Sequence, residues 1–249
     1  DQARLLKEVR EQMAEGDLPD WEEGSSAAAA ASGEIALASM FTAIASGTAI
    51  DVAGTRNAGA RIADAVEAHG ITNWLKTVRQ HHEGTYQHCL LVTGVAVDFG
   101  LSLGVPKADI ERLYTAAMFH DVGKAMIPLN LLDKPSRLDP EERAVIETHP
   151  VIGYDALRDN EQISAEVLDA VRHHHEYLDG SGYPDALCDE SLSDMVRVLT
   201  ISDIFAALIE ARPYKATLSR EDAYTILAGM NGKLEKPLVN AFRDVALTR

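Results

Sequence analysis

At 249 residues the chain can hold one large domain, or a medium one with a smaller companion, and it buries a sizeable core either way. Lysine and arginine number 23 against 39 aspartates and glutamates, and the formal charge of −16 repels polyanions and speaks against broad binding to DNA or RNA backbones. A phosphate ligand must be drawn in locally, by bound cations or a few placed basic side chains.

Cys89 and Cys188 lie far apart without a CxxC, which supports neither a disulfide framework nor a thiolate zinc site; a reducing, cytoplasmic setting is expected. The chain opens at Asp1 with no basic, apolar leader pattern, so we expect a portion of something longer.

Residues 1–14 form a charged helix candidate, and residues 16–33, with Pro19, Gly24, Ser25 and Ser26 before an alanine run, read as a flexible linker. From Glu34 to about Gln80 the composition predicts two or three helices without a catalytic motif. The uncharged run Ile35 to Ile50 is expected to be a buried helix and not a membrane segment. The region 1–79 is therefore read as an N-terminal helical extension, a packing or dimerisation element ahead of a domain spanning 80–249.

Apolar residues recur at three- and four-residue spacing through the remainder, and no alternating strand appears, so the fold class is all-α. His88, Val92, Val95 and Phe99 share one helical face. On the next helix Ile110, Leu113, Ala117, His120, Asp121 and Lys124 do the same. Asp139, Pro140 and Glu142 read as N-cap, N1 and N3 of a helix running to about Glu147, with Pro150 placing His149 at a break. Ser164 caps a helix predicted to carry Val167, Val171, His174 and Leu178 on one face and to end at Asp179-Gly180; a further helix, about Asp194 to Ala211, carries Asp203 and stops before Pro213.

Six of the nine histidines fall at 88, 120, 149 and 173 to 175, at inward faces or ends of these helices. A lone histidine there is ordinarily a satisfied core residue. Together with Asp121 and Asp203, however, they make a set of groups that is expensive to bury unless a cation binds them. Imidazoles mixed with carboxylates, and no thiolate, suit iron or manganese better than a structural zinc, with catalytic zinc still open, and an aspartate can bridge two ions.

The segment His120-Asp121-Val122-Gly123-Lys124 matches the HDxGK motif of HD-domain phosphohydrolases. The segment His174-His175-Glu176-Tyr177-Leu178-Asp179-Gly180-Ser181-Gly182-Tyr183-Pro184 resembles the HHE..DGSGYP signature of the HD-GYP subfamily of cyclic di-GMP phosphodiesterases. Leu132-Asp133-Lys134-Pro135, Thr148-His149-Pro150, Ile201-Ser202-Asp203 and Arg212-Pro213-Tyr214-Lys215 add to it, and the likeness covers about residues 80 to 245.

The resemblance implies a multi-helix HD-domain bundle that hydrolyses cyclic di-GMP to the linear dinucleotide pGpG, with further cleavage to GMP as the lesser alternative. It implies two divalent metals on His88, His120, Asp121, His149, His174, His175 and Asp203. It implies catalytic roles for Asp121 and Lys124, with Lys124, Gly182, Tyr183, Arg212 and Lys215 against the substrate.

The chain departs from the family pattern in two places. Gly84 stands where members with a third metal carry a glutamate, with Glu83 beside it, so two metals are expected. Ala206 stands where a second aspartate is frequent. The competing readings are an idle cyclic di-GMP receptor and a phosphohydrolase for another nucleotide. Nucleic acid is not an expected partner; a second copy or a regulatory domain docking on the N-terminal helices is.

Overall fold

In the computed structural model the chain is described at residues 22, 24–81, 84–210 and 217–249, and among these no strand forms; Asp179 and Cys188 make a single isolated bridge. The expectations for residues 1–14, Glu83, Arg212 and Lys215 lie outside the described residues.

Helix α1 is Ser26–Ser46. It begins inside the stretch expected to be a linker, which corrects that expectation from residue 26 onward. The reason is local: the Ser25 hydroxyl accepts the Ala28 N–H at 3.2 Å, and the alanines behind this cap are the strongest helix formers. Gly33 is no hinge, since a Cβ there would stand 2.5 Å from Leu90 Cδ2; the glycine lets two helices approach. Although α1 is long and apolar enough to cross a membrane, Leu37, Met40 and Phe41 are buried in the core.

Helix α2, Val52–His81, is broken at Gly70, whose φ of 78° splits it into two rods. Helix α3, Gly84–Leu103, is buried almost all round from Gln87 to Gly100, as a helix apolar on every side must be. It packs against α2, against α4 (Lys107–Phe119) and against α9 (Asp194–Ile209).

A 3₁₀ turn, Val122–Met126, follows α4. Then come α5 (Leu129–Leu132), α6 (Pro140–Ile146), α7 (His149–Leu157) and α8 (Ala165–His173), while α10 (Arg220–Gly229) and α11 (Lys236–Leu247) follow α9. Asp139 and Glu142 form the expected capping box of α6. One apolar cluster runs from Ala29 to Ala246, so the residues before 80 share a core with those after it.

Two helices end sooner than the periodicity predicts. Helix α4 stops at Phe119, so Asp121 and Lys124 leave its face, and α8 stops at His173, short of Asp179-Gly180. In α8 the His174 ring takes the Val171 carbonyl at 2.9 Å, which a continuing helix would give to the His175 N–H. The carbonyls of His174 and His175 go to the Thr200 hydroxyl at 2.8 Å and the Tyr183 N–H at 3.2 Å. The backbone is committed to the site rather than to another helical turn.

Candidate metal centre

Three histidines stand at or just beyond helix C-termini, where the last carbonyls have no partner within the helix. His120 follows α4, His149 stands three residues beyond the end of α6, and His174 follows α8. In each ring Nδ1 meets the carbonyl three residues back: Ala117 at 2.7 Å, Ile146 at 2.8 Å and Val171 at 2.9 Å. A carbonyl only accepts, so Nδ1 carries a proton in each ring, and Nε2 is the nitrogen turned inward.

These nitrogens converge on Asp121, which is 1% exposed. Its Oδ1 lies 3.1 Å from His149 Nε2 and 3.9 Å from His174 Nε2, while its Oδ2 lies 3.4 Å from His120 Nε2 and 3.7 Å from His88 Nε2. Asp203 repeats the pattern, with Oδ1 at 2.9 Å from His88 Nε2 and Oδ2 at 3.6 Å from His175 Nδ1. Two neighbouring donor sets result, Asp121 with His149, His174 and His175, and His88 with His120 and Asp203. Each aspartate turns one oxygen to each set.

The donors fit divalent cations. His120 Nε2 and Asp121 Oδ1 are buried without a hydrogen-bond partner. His149 Nε2 and His174 Nε2 face each other at 3.3 Å with both Nδ1 atoms already directed at carbonyls, and His174, held neutral by burial, offers its Nε2 as a lone-pair donor. Buried nitrogen and oxygen donors gathered this closely are what a bound cation satisfies.

The electrostatics agree. Burial and the neighbouring imidazoles push His174 well below the ordinary histidine range, and burial takes His175 down to about 3, so both stay neutral donors. Burial raises the carboxyls of Asp121 and Asp203, but the Lys124 ammonium beside Asp121 and the His88 hydrogen bond to Asp203 outweigh it, and both are held well below the carboxylate range. In the metal-free chain His88, between Asp203 and Glu210, is pushed up to about 9 against the desolvation that lowers it.

The site is shaped by close backbone contacts. A Cβ on Gly123 would stand 2.0 Å from the His149 carbonyl oxygen, so only glycine lets the turn after Asp121 lie against α7. Gly182 has the same function on the opposite wall, where a Cβ would be 2.5 Å from the His175 oxygen. The Tyr183 ring stacks on His175 with centroids 4.7 Å apart. Lys124 Nζ donates to Asp121 Oδ2 at 2.5 Å from the partly exposed rim.

A family model described as HD domain matches residues 71–236, two thirds of the chain. The chain belongs to the HD domain family. Its signatures place it in the HD-GYP branch. It is 32% identical over 208 residues to a cyclic di-GMP phosphodiesterase of Pseudomonas aeruginosa, covering 83% of this chain and 50% of that protein. It is also 34% identical over 173 residues to the cyclic di-GMP phosphodiesterase response regulator RpfG of Xanthomonas campestris, covering 69% and 46%. The chain thus spans about half the length of these relatives. An HDG"Y"P protein from Bdellovibrio bacteriovorus superposes with a TM-score of 0.72 at 17% identity, over 94% of this chain and 76% of that one, a likeness of fold.

In this HD domain the seven residues expected to bind metal come together, with Lys124, Gly182 and Tyr183 at the rim. Ala206 is fully buried in α9, where a second aspartate was the family expectation. Lys124 reaches Asp121 from a 3₁₀ turn and not from a shared helical face.

Three residues without a role in the sequence reading belong to the site's surroundings. Glu176 is buried and accepts the Asp185 N–H at 2.6 Å and the Leu187 N–H at 3.2 Å, tying the loop after Tyr183 to the end of α8. Cys89 packs beside His120 and Asp121, where burial raises its thiol and keeps it neutral. Glu210, which ends α9, lies behind His88 at 3.4 Å. The HHE run hinted at Glu176; a single glutamate at a helix end and a cysteine beside a histidine carried no pattern that could have marked the other two.

Proposed function

We propose that the chain is a metal-dependent phosphodiesterase that opens cyclic di-GMP to the linear dinucleotide. The observation that carries this reading is Asp121, buried, ionised and turning one oxygen to each of two donor sets. His149, His174 and His175 would hold one divalent ion, His88, His120 and Asp203 the other, with Asp121 common to both. All-nitrogen-and-oxygen donors favour iron or manganese. Bound there, a pair of ions activates water at neutral pH and stabilises charge on the phosphoryl oxygens.

The protein's own groups supply the rest. The Nδ1 contacts to carbonyls keep three rings in one tautomer and orientation. Lys124 places a fixed positive charge at the rim, where the non-bridging oxygens of a phosphodiester would build charge. Tyr183, stacked on His175, and Gly182 line the wall against which a base or ribose would rest. The family resemblance assigns Arg212 and Lys215 to the ligand's phosphates or guanines. With Gly84 in place of a glutamate, two ions are the expected complement, and hydrolysis stops at the linear product.

A second substrate is favoured by one observation: a Vibrio cholerae relative named a 3'3'-cGAMP-specific phosphodiesterase is 31% identical over 145 residues, 57% of this chain. An idle receptor is disfavoured, because it would have no use for so many buried ionisable groups.

The test is elemental analysis after anaerobic purification, with hydrolysis of cyclic di-GMP and 3'3'-cGAMP side by side and Asp121→Ala as control. Two ions per chain, with turnover abolished by the substitution, is the expected result. Stoichiometric metal with turnover of 3'3'-cGAMP alone changes the substrate, and a metal-free chain that still binds cyclic di-GMP overturns the enzyme reading.

A further inference from the structure

His88 differs from the other inward-facing histidines in where it stands. His120, His149 and His174 take helix-terminal carbonyls for their Nδ1 protons. His88 lies within α3, where the carbonyls one turn back are already used by the helix, so its outer nitrogen needs a partner from another element. Its Nε2 faces the centre, 2.9 Å from Asp203 Oδ1. Its Nδ1 is buried without a hydrogen-bond partner and faces Glu210 Oε2 at 3.4 Å, an ion-pair distance.

Glu210 is 3% exposed and caps the end of α9, seven residues after Asp203, so one helix supplies a carboxylate to each nitrogen of the same ring. On these grounds we propose that Glu210 is a positioning residue: it holds the His88 ring through Nδ1 so that Nε2 is directed at the metal centre. The inference rests on the metal-binding reading above.

With an ion held at Nε2, the ring proton would stand on Nδ1 facing Glu210, and the carboxylate would raise the basicity of the ring as a ligand. The substitution that best preserves shape is Glu210→Gln, which keeps an acceptor oxygen but loses the charge; Glu210→Ala removes both. Manganese affinity of the whole chain, measured by chelator competition, should fall by about 10- to 100-fold in Glu210→Ala and by less in Glu210→Gln, the usual effect of losing such a support.

The discriminating measurement is the double variant His88→Ala with Glu210→Ala. If Glu210 acts through His88, the two losses do not add, and the double variant binds manganese no worse than His88→Ala alone. Nitrogen-15 resonances of His88 in the metal-free chain give an independent readout, which Glu210→Gln should shift while leaving His120 and His149 in place. Full additivity, or unchanged affinity and unchanged His88 resonances in Glu210→Gln, overturns the proposal. A native chain that binds no manganese refutes the centre itself, a separate result.

Discussion

Asp121 and Lys124 share a turn, yet their substitutions should separate. Asp121 contributes oxygens to both donor sets, so its loss removes metal and turnover together. Among the described residues, Lys124 meets the centre through Asp121 Oδ2. Lys124→Ala is therefore expected to keep the full metal content while kcat falls by about 10²- to 10³-fold, the scale of one lost electrostatic contact to the transition state. Elemental analysis beside steady-state kinetics checks this, and metal loss in that variant would make Lys124 part of the binding shell. Gly123 sets the distance between Asp121 and His149, and Gly123→Ala drives a methyl into the His149 carbonyl. We expect a loss of about 1–3 kcal/mol in denaturant unfolding, typical of overpacking, together with weakened metal binding. Retained stability and metal content would show that α7 can shift at no cost. The identities of these residues were legible because His, Asp and Lys recur in a fixed motif. Their tautomers were not, because each depends on where a helix runs out of partners.

The element that shapes the site is the loop after α8, and its fastening is electrostatic. Asp185 takes Arg172 Nε at 2.7 Å and His173 Nε2 at 2.9 Å, while Glu176 holds its backbone N–H. Chiefly through the Arg172 hydrogen bond, the Asp185 carboxyl is drawn down to about 2 from 3.8. The folded value is the lower one, so the contribution is complete above the unfolded value and is lost as pH falls through the folded one. The difference in Tm between the native chain and Asp185→Asn should hold steady down to about pH 5 and shrink between about pH 4 and 2. A gap that persists unchanged at the acid end would mean that the aspartate acts through packing and not charge. The sequence periodicity ran α4 and α8 too far for a related reason. His120, Asp121 and His174 point inward as core residues do, so ligands continue the apolar pattern past the point where the backbone has left the helix. Where a cap was explicit, as at Asp139 and Ser164, the helix starts were readable.

At the scale of the whole molecule, α1 and α2 pack into the same apolar core as the helices that follow them. The family match begins at residue 71, immediately after the break at Gly70, which invites the view that a chain from Ile71 onward is self-sufficient. The packing argues otherwise. Helix α1 lies on α2 and on the 3₁₀ turn that carries Lys124, Gly33 sits against Leu90, Gly59 against Tyr114, and Phe41 meets Tyr86 edge to face with centroids 5.4 Å apart. The alanine-rich composition that suggested a linker is what allows this close approach, since small side chains bring helix backbones together. Removing residues 1–70 takes α1 and the first rod of α2 off α3 and α4 and is expected to expose apolar side chains that they cover. The 71–249 fragment is accordingly expected to keep much of its far-ultraviolet helical signal but to lose sharp thermal unfolding and to bind a hydrophobic dye. It should also lose metal, because the turn bearing Asp121 and Lys124 is no longer backed by α1. A fragment that melts as cooperatively as the full chain and retains its metal would show that α1 and the first rod of α2 are dispensable cover, leaving them available for a partner.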